Sequence, residues 1–166
     1  MTNLRIRPFR NNDALVIKDW CKDEESFYKW CAGIMGEYPL TEEKLLKLFA
    51  DRDNNDGLFP FTALEENNIV GFFSLRRPSG DINELRFGFV IVSPEVRGRG
   101  YGKEMLKLAI KFAKEIYGAK KLGLGVFENN LSAFHCYKGV GFVENGFVEE
   151  YEIMSEKWKC IEMTLE

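Results

Sequence analysis

The sequence is poor in residues that bind transition metals. Its 166 residues include one histidine, His135, and four cysteines that form no C-x-x-C pair. Zinc sites in proteins use closely spaced cysteine and histidine ligands, so we expect no metal site. The better interpretation of the cysteines is a set of reduced, mostly buried thiols in a cytoplasmic protein. They are Cys21, Cys31, Cys136 and Cys160.

Long apolar runs and surplus positive charge are also missing. Residues 1–5 lack the apolar core of a signal peptide, and no apolar stretch approaches the roughly 20 residues of a membrane span. We therefore expect neither export nor a membrane partner. The net charge of −3 argues against nucleic acid as a partner, because nucleic-acid binding relies on positive charge. Clusters of basic residues in the sequence are therefore expected to bind a ligand at one place rather than a nucleic acid.

The composition that remains is that of an ordinary globular protein, with 45% hydrophobic and 30% charged residues. We expect a single domain over residues 1–166. Hydrophobic periodicity predicts the order β-α-α-α-β-β-β-α-β-α-β-β, an α+β fold with helices on a mixed sheet. One helix is predicted to begin at residue 14, and four more are predicted at 24–35, 41–49, 100–117 and 130–138. Strands are predicted at 4–9, 61–65, 69–75, 85–92, 122–126, 148–153 and 158–165. Turns are predicted at 67–68 and 78–81.

The most informative stretch runs from the apolar strand ending at Val92 into a glycine-rich turn that opens a helix. Such a turn leaves several backbone N–H groups unpaired at the positive end of a helix dipole. Glycines at 98, 100 and 102 let a bulky anion approach the backbone. Arg97, Arg99 and Lys103 add positive charge. A phosphate-bearing ligand is predicted, although the turn lacks the G-K-[ST] ending of a P-loop.

Two motifs carry a resemblance to a known family. Arg97-x-x-Gly100-x-Gly102 resembles the acetyl-CoA pyrophosphate loop of the GNAT N-acetyltransferase superfamily, and Asn130-x-x-Ala133-x-x-x-Tyr137 resembles that family's N-x-x-A…Y motif. The resemblance covers essentially the whole chain. It implies a mostly antiparallel, twisted sheet of about seven strands, flanked by helices in three layers, with a splayed central strand pair. A bulge in the central strand is also implied.

The resemblance implies acetyl-CoA as co-substrate and assigns its binding residues. The pantetheine arm lies along the central strand, the pyrophosphate binds the glycine-rich turn, and the helix after residue 130 contributes further contacts. For Arg99 a solvated charge near the phosphates is favoured over an essential contact. The implied co-substrate residues are Val90, Ile91, Val92, Arg97, Gly98, Arg99, Gly100, Tyr101, Gly102, Lys103, Asn130, Ala133 and Tyr137.

Acetyl transfer to an amine needs a neutral amine, a stabilised oxyanion and a proton for the departing thiolate. Tyr137 is the predicted acid because it matches the family's motif, and seven helical residues bring it to the face of Asn130. Position alone would favour a core tyrosine, which is the alternative. His135 lies about 200° around the helix and is expected to point away. Cys136 has no partner that would activate it as a nucleophile. Direct transfer in a ternary complex is therefore preferred.

The general base is predicted less directly. Family members often place a glutamate on the strand at 122–126, but here Gly123 and Gly125 occupy the face opposite the leucines. This glycine wall of the strand is expected to be free of side chains and to admit an acceptor. Glu84, at the start of the central strand, is the remaining candidate base, and a solvated strand-end charge is the alternative.

The predicted function is therefore an acetyl-CoA-dependent N-acetyltransferase acting on a primary amine of a small molecule or a protein. The alternative is a non-catalytic acyl-CoA-binding or sensor module of the same fold. The glycine-walled strand favours the alternative, whereas Tyr137 and Asn130 favour the enzyme. A homodimer is possible, since similar proteins commonly dimerise, but the sequence identifies no interface.

Overall fold

A seven-stranded sheet organises the chain in the computed structural model, which describes residues 3–50, 57–78 and 81–166. The strands are β1 (Leu4–Pro8), β2 (Leu58–Glu65), β3 (Asn68–Arg76), β4 (Glu84–Val92), β5 (Lys121–Phe127), β6 (Val143–Ile153) and β7 (Glu156–Leu165). Their order in the sheet is β1-β2-β3-β4-β5-β7-β6. Only the β4–β5 pair is parallel among the described strands, so the predicted mixed, mostly antiparallel sheet is confirmed.

Helices cover both faces of this sheet. They are α1 (Ala14–Ile17), α2 (Glu24–Cys31), α3 (Glu42–Phe49), α4 (Tyr101–Glu115) and α5 (Leu131–Gly139). The apolar stripe of α4, with Met105, Leu106 and Ala109, packs against one face and forms the larger core. On the other face α1, α2 and α3 bury a second cluster around Phe72. The three-layer arrangement predicted from the sequence is confirmed.

Local signals explain where most helices begin and end. Thr41 caps α3 by accepting a hydrogen bond from the Lys44 N–H at 3.2 Å, as predicted. The helix predicted over 24–35 instead ends at Cys31, because Ala32 adopts a left-handed φ of 53°. Helix α1 ends at Ile17, and Lys18 after it still has right-handed helical dihedral angles.

Two predicted turns have different outcomes. The β2–β3 hairpin turns at Glu66-Asn67 rather than at 67–68, and Glu66 carries the positive φ of 55° that such a tight turn requires. Of the turn predicted at 78–81, residues 79 and 80 lie outside the described part of the chain.

A buried carboxylate ties the first helix to the sheet. Asp13 is 3% exposed and accepts two hydrogen bonds from Arg7, at 2.7 and 2.9 Å. It also accepts from the Arg10 N–H and from the Thr62 hydroxyl. Burial disfavours its charge, but these hydrogen bonds more than compensate, so the pKa of Asp13 lies below its usual value.

Candidate functional site

The central strand β4 carries a bulge at its middle. Phe72 pairs with Ile91 and Ser74 pairs with Gly88, so Phe89 and Val90 together oppose one residue of β3. Phe89 takes up the extra length with a left-handed φ of 52°. The bulge implied by the family resemblance is therefore present, and it re-aims the backbone just before Ile91 and Val92.

A cleft of about 710 Å³ opens between β4 and β5. The two strands pair only over Glu84–Arg86 and Lys121–Gly123 within the described chain, and both contribute residues to the cleft walls beyond that point. The splayed central pair itself stays a prediction. Besides these strands, the walls include residues of α2, the glycine-rich turn, the start of α4 and the length of α5.

The cleft brings together almost all the residues predicted for co-substrate binding, although their roles stay predictions. Those that line it are Val90, Ile91, Val92, Arg97, Gly98, Gly100, Tyr101, Gly102, Lys103, Asn130, Ala133 and Tyr137. Arg99 and Glu84 are the two predicted site residues that do not line it. The two motifs that carry the family resemblance therefore line one cleft.

The charge of the cleft is opposite to that of the whole protein. Lys29, Arg97 and Lys103 line it, and no aspartate or glutamate is present among its described lining residues. The chain as a whole carries a net charge of −3. Because low-dielectric walls focus the field of the charges they hold, this cleft favours an anionic ligand.

The glycine-rich turn has the backbone geometry that its sequence predicts. Gly98 and Gly100 have left-handed φ values of 76° and 84°, and Gly100 is the residue immediately before α4. A Cβ at either position would meet no atom within 4 Å, so the space above them is open. Unpaired N–H groups at the start of α4 thus adjoin open space in the cleft.

The two arginines of the turn differ in placement. Arg97 lines the cleft and donates to the Val92 carbonyl at 3.3 Å and to the Trp20 carbonyl at 3.5 Å. Arg99 lies over the Tyr101 ring and donates to its hydroxyl at 3.3 Å. That hydroxyl in turn donates to Glu65. Arg99 does not line the cleft but contacts a residue that does, and its predicted co-substrate contact stays a prediction.

Helix α5 presents its predicted motif to the cleft. Asn130 caps the helix by accepting a long hydrogen bond, 3.4 Å, from the Ala133 N–H. Tyr137 is 7% exposed and packs against Phe142 at a ring-centroid distance of 6.2 Å. Its phenol donates no hydrogen bond to any other residue that the structure describes, and burial raises its pKa well above the usual value.

Two neighbours of Tyr137 also reach the cleft. His135, which is expected to point away from the site, is exposed and is among the residues that line the cleft, so the direction of its ring stays a prediction. Cys136 lines the cleft as well, and burial raises the pKa of its thiol. A thiol in that environment is a poor nucleophile.

The glycine wall of β5 is occupied rather than open. A Cβ at Gly123 would lie 2.9 Å from the Arg86 guanidinium and 3.2 Å from the Glu84 carboxylate. Arg86 forms a two-point ion pair with Glu162, and Glu84 is 4.0 Å from the same guanidinium. Glu84 thus pairs with Arg86 at the far end of β4, six residues before Val90, so its prediction as a base in the cleft is not supported.

Three carboxylates form a surface beside the glycine wall of β5. We call this surface the acidic face, and its residues are Glu84, Glu149 and Glu162. Glu149 lies opposite Cys160 in the β6–β7 ladder, and burial together with Glu162 and Glu149 raises the pKa of Cys160 to about 11. With Arg86 and with Lys121, the β5 residue opposite Glu84, counted, the acidic face retains a surplus of one negative charge. It adjoins the cleft at Gly125, whose Cβ would lie 4.0 Å from Glu162. No local motif announces Glu162, since β5–β7 pairing positions it.

The sequence also missed the wall formed by α2. Ser26, Lys29 and Trp30 line the cleft from there. Trp30 packs edge-on against Phe89 at 5.5 Å, and its buried indole N–H has no partner among the described residues. Helical spacing places 26, 29 and 30 on one side, but no feature of the sequence indicates that this side meets β4.

Two kinds of feature are missing from the described residues. No group of three or more histidine, cysteine, aspartate or glutamate side chains is arranged to hold a metal ion. Among the described helices, none combines the length and the apolar character needed to cross a bilayer.

Comparison with known proteins agrees with this geometry. The model of the acetyltransferase (GNAT) family matches residues 17–142. The spermine/spermidine N(1)-acetyltransferase of Bacillus subtilis is 40% identical over 55 residues, 33% of this chain and 36% of that protein. The spermidine N(1)-acetyltransferase of Vibrio cholerae is 35% identical over 89 residues, 53% of this chain and 51% of that protein. The chain thus matches between about a third and a half of the length of these curated relatives.

Solved structures extend the likeness of fold over nearly the whole chain. The crystal structure of spermidine N-acetyltransferase from Vibrio cholerae in complex with CoA and spermine superposes with a TM-score of 0.82. It covers 98% of this chain and 94% of that chain at 22% sequence identity. The predicted fold class is confirmed.

Proposed function

This chain belongs to the acetyltransferase (GNAT) family, and from that premise we propose that it transfers an acetyl group from acetyl-CoA to a primary amine of a polyamine such as spermidine. One observation carries the proposal. A single cleft joins the cation-lined, glycine-rich turn to the buried phenol of Tyr137. A ligand that is anionic at one end and reactive at the other fits such a cleft.

The residues of the cleft fit a CoA thioester. The N–H groups of the turn and the start of α4 adjoin open space of the kind a diphosphate needs, and three cations line the same cleft without an opposing carboxylate among the described lining. Backbone groups of Val90, Ile91 and Val92 run from there along β4 and offer an extended partner for the pantetheine arm. Bound acetyl-CoA would supply the thioester that the amine attacks.

Tyr137 is the chain's candidate for stabilising the departing thiolate. An ordinary thiol has a pKa near 8.5, whereas burial raises the pKa of Tyr137 above its usual value near 10. Complete proton transfer from the phenol to the thiolate is therefore uphill. We infer that Tyr137 donates a hydrogen bond to the developing charge, which stabilises the transition state without requiring tyrosinate.

The acceptor is inferred from charge and from the relatives. A polyamine carries several ammonium groups along a flexible chain, and the acidic face adjoins the cleft at Gly125. The curated relatives named above act on spermidine or spermine by their names. We propose that Glu162 and Glu84 attract the ammonium groups that do not react. In this role Glu84 attracts the positive charge of the acceptor and does not take the proton from the reacting amine.

The proposal is tested by following thiol release from acetyl-CoA in the presence of an amine panel, with mass spectrometry of the products. Spermidine and spermine should be acetylated faster than free lysine or a peptide with a free N-terminus. Acetylation of the peptide alone would replace the polyamine with a protein acceptor. Tight CoA binding without turnover of any amine would favour the non-catalytic acyl-CoA-binding module, which the comparisons do not favour.

Three further expectations remain predictions. The chain is expected to act as one domain over residues 1–166, to function in the cytoplasm and to form a homodimer. Size-exclusion chromatography with light scattering tests the last of these.

A further inference from the structure

Gly139, the last residue of α5, lies directly beneath a lysine of the cleft. A Cβ built at Gly139 would lie 2.6 Å from Cε, 2.9 Å from Nζ and 3.5 Å from Cδ of Lys103. Lys103 belongs to the first turn of α4 and lines the cleft. The end of its side chain therefore crosses α5 through the space that any other residue at 139 would fill.

The backbone does not require glycine at this position. Gly139 is helical, and it is not among the glycines that have a positive φ. Alanine would fit the same helical conformation and is the better helix former. The close contact is with the flexible end of Lys103 rather than with backbone, so a methyl group there would displace the ammonium and leave the fold in place.

The Lys103 ammonium lies beside α5, near enough to Cys136 to influence its thiol. Its charge lowers the pKa of Cys136, opposing the larger effect of burial, and Cys136 lines the cleft. The Cys136 sulfur lies 3.4 Å from a Cβ built at Gly102, at the start of α4. The carbonyl end of α5 carries partial negative charge, which favours a cation at this place.

We propose that Gly139 is a positioning residue that holds the Lys103 ammonium toward a phosphate group of the co-substrate. The inference rests on the proposed function, because it takes a CoA thioester as the ligand. Gly139 itself touches no ligand and acts only through Lys103.

The test compares CoA binding by calorimetry in four variants. Gly139→Ala should weaken CoA binding about fivefold and Lys103→Ala about tenfold, the size expected for one charge-assisted contact. The double variant should bind no more weakly than Lys103→Ala alone, because both changes remove the same contact. Lys107→Ala is the matched control: Lys107 is exposed on α4 and does not line the cleft, so affinity should not change.

Repeating the calorimetry with dephospho-CoA, which lacks the 3′-phosphate, identifies the phosphate group that Lys103 contacts. If the loss in Gly139→Ala disappears with this ligand, Lys103 contacts the 3′-phosphate, and if it persists, Lys103 contacts the pyrophosphate. The thermal midpoint of Gly139→Ala should equal or exceed that of the wild-type protein, which a merely structural role would not allow. Wild-type affinity in Gly139→Ala, or losses that add in the double variant, would overturn the inference.

A second measurement is independent of CoA. Peptide-resolved alkylation of Cys136 should slow in Gly139→Ala, because a displaced ammonium no longer favours the thiolate. If the wild-type protein bound no CoA, the proposed function would fail. An unchanged alkylation rate would instead overturn the placement of Lys103, so the two failures are distinguishable.

Discussion

Replacing Tyr137 with phenylalanine removes the phenol oxygen from the cleft and leaves the ring in place. Tyr137 is almost fully buried and packs against Phe142, and phenylalanine has nearly the same volume. The phenol donates to no other residue that the structure describes, so no hydrogen bond within that part of the protein is lost. The substitution should therefore change the free energy of unfolding by less than about 1 kcal/mol.

The catalytic effect should be much larger. If the phenol donates a hydrogen bond to the departing thiolate, its removal should lower kcat about 100-fold, as loss of one preorganised donor typically does. The affinity for CoA should change less than about threefold, because the contact strengthens only as charge develops on sulfur. Since burial raises the pKa of Tyr137, its ionisation should cause no loss of kcat below about pH 10.

The assay follows thiol release with saturating spermidine, alongside calorimetry with CoA. Tyr117→Phe is the matched control, because Tyr117 is a half-buried tyrosine that stacks on Phe59 away from the cleft. A Tyr137→Phe variant with wild-type kcat would refute the role of the phenol. A fall in CoA affinity that matches the fall in kcat would show that the ring only shapes the binding site.

Three further substitutions test other parts of the structure. Asp13→Ala should lower the free energy of unfolding in urea at pH 7 by about 3–5 kcal/mol, since it leaves Arg7 without its buried partner. The lowered pKa of Asp13 means that its contribution is fully present above about pH 4 and is lost as pH falls, so the difference between variant and wild type should shrink in acid; a constant difference would contradict this. Arg97→Ala should weaken CoA binding about tenfold by calorimetry, and unchanged affinity would exclude a phosphate contact. Glu162→Gln should raise KM for spermidine about fivefold while CoA affinity stays constant, whereas an unchanged KM would remove Glu162 from acceptor binding.

The parts of the site that could be predicted from sequence are those built by neighbouring residues. Gly98 and Gly100 adopt left-handed φ values that glycine permits at little cost, in a turn whose position before α4 the sequence predicts. Helical periodicity places Asn130 and Tyr137 on one face, and both line the cleft. Local rules suffice where one segment supplies the whole feature.

The parts that could not be predicted depend on strand register and helix docking. Alternation correctly puts Gly123 opposite the leucines, but only the pairing of β4, β5 and β7 brings Arg86 and Glu162 over it. The same pairing draws Glu84 into an ion pair and away from the cleft. Lys29 enters the cleft because α2 packs against β4, a contact between segments about sixty residues apart.

The opposite charges of the cleft and the acidic face address a difficulty in the proposed reaction. A polyamine would pair readily with the phosphates of CoA, and such pairing would hold its amines away from the thioester. Lys29, Arg97 and Lys103 already neutralise part of that phosphate charge within the cleft. The acidic face, through Glu162 and Glu84, offers the ammonium groups a competing partner beside Gly125. An acceptor held there by its charged end leaves a terminal amine free to enter the cleft, where approach to within about 3–3.5 Å of the thioester carbon is what attack requires.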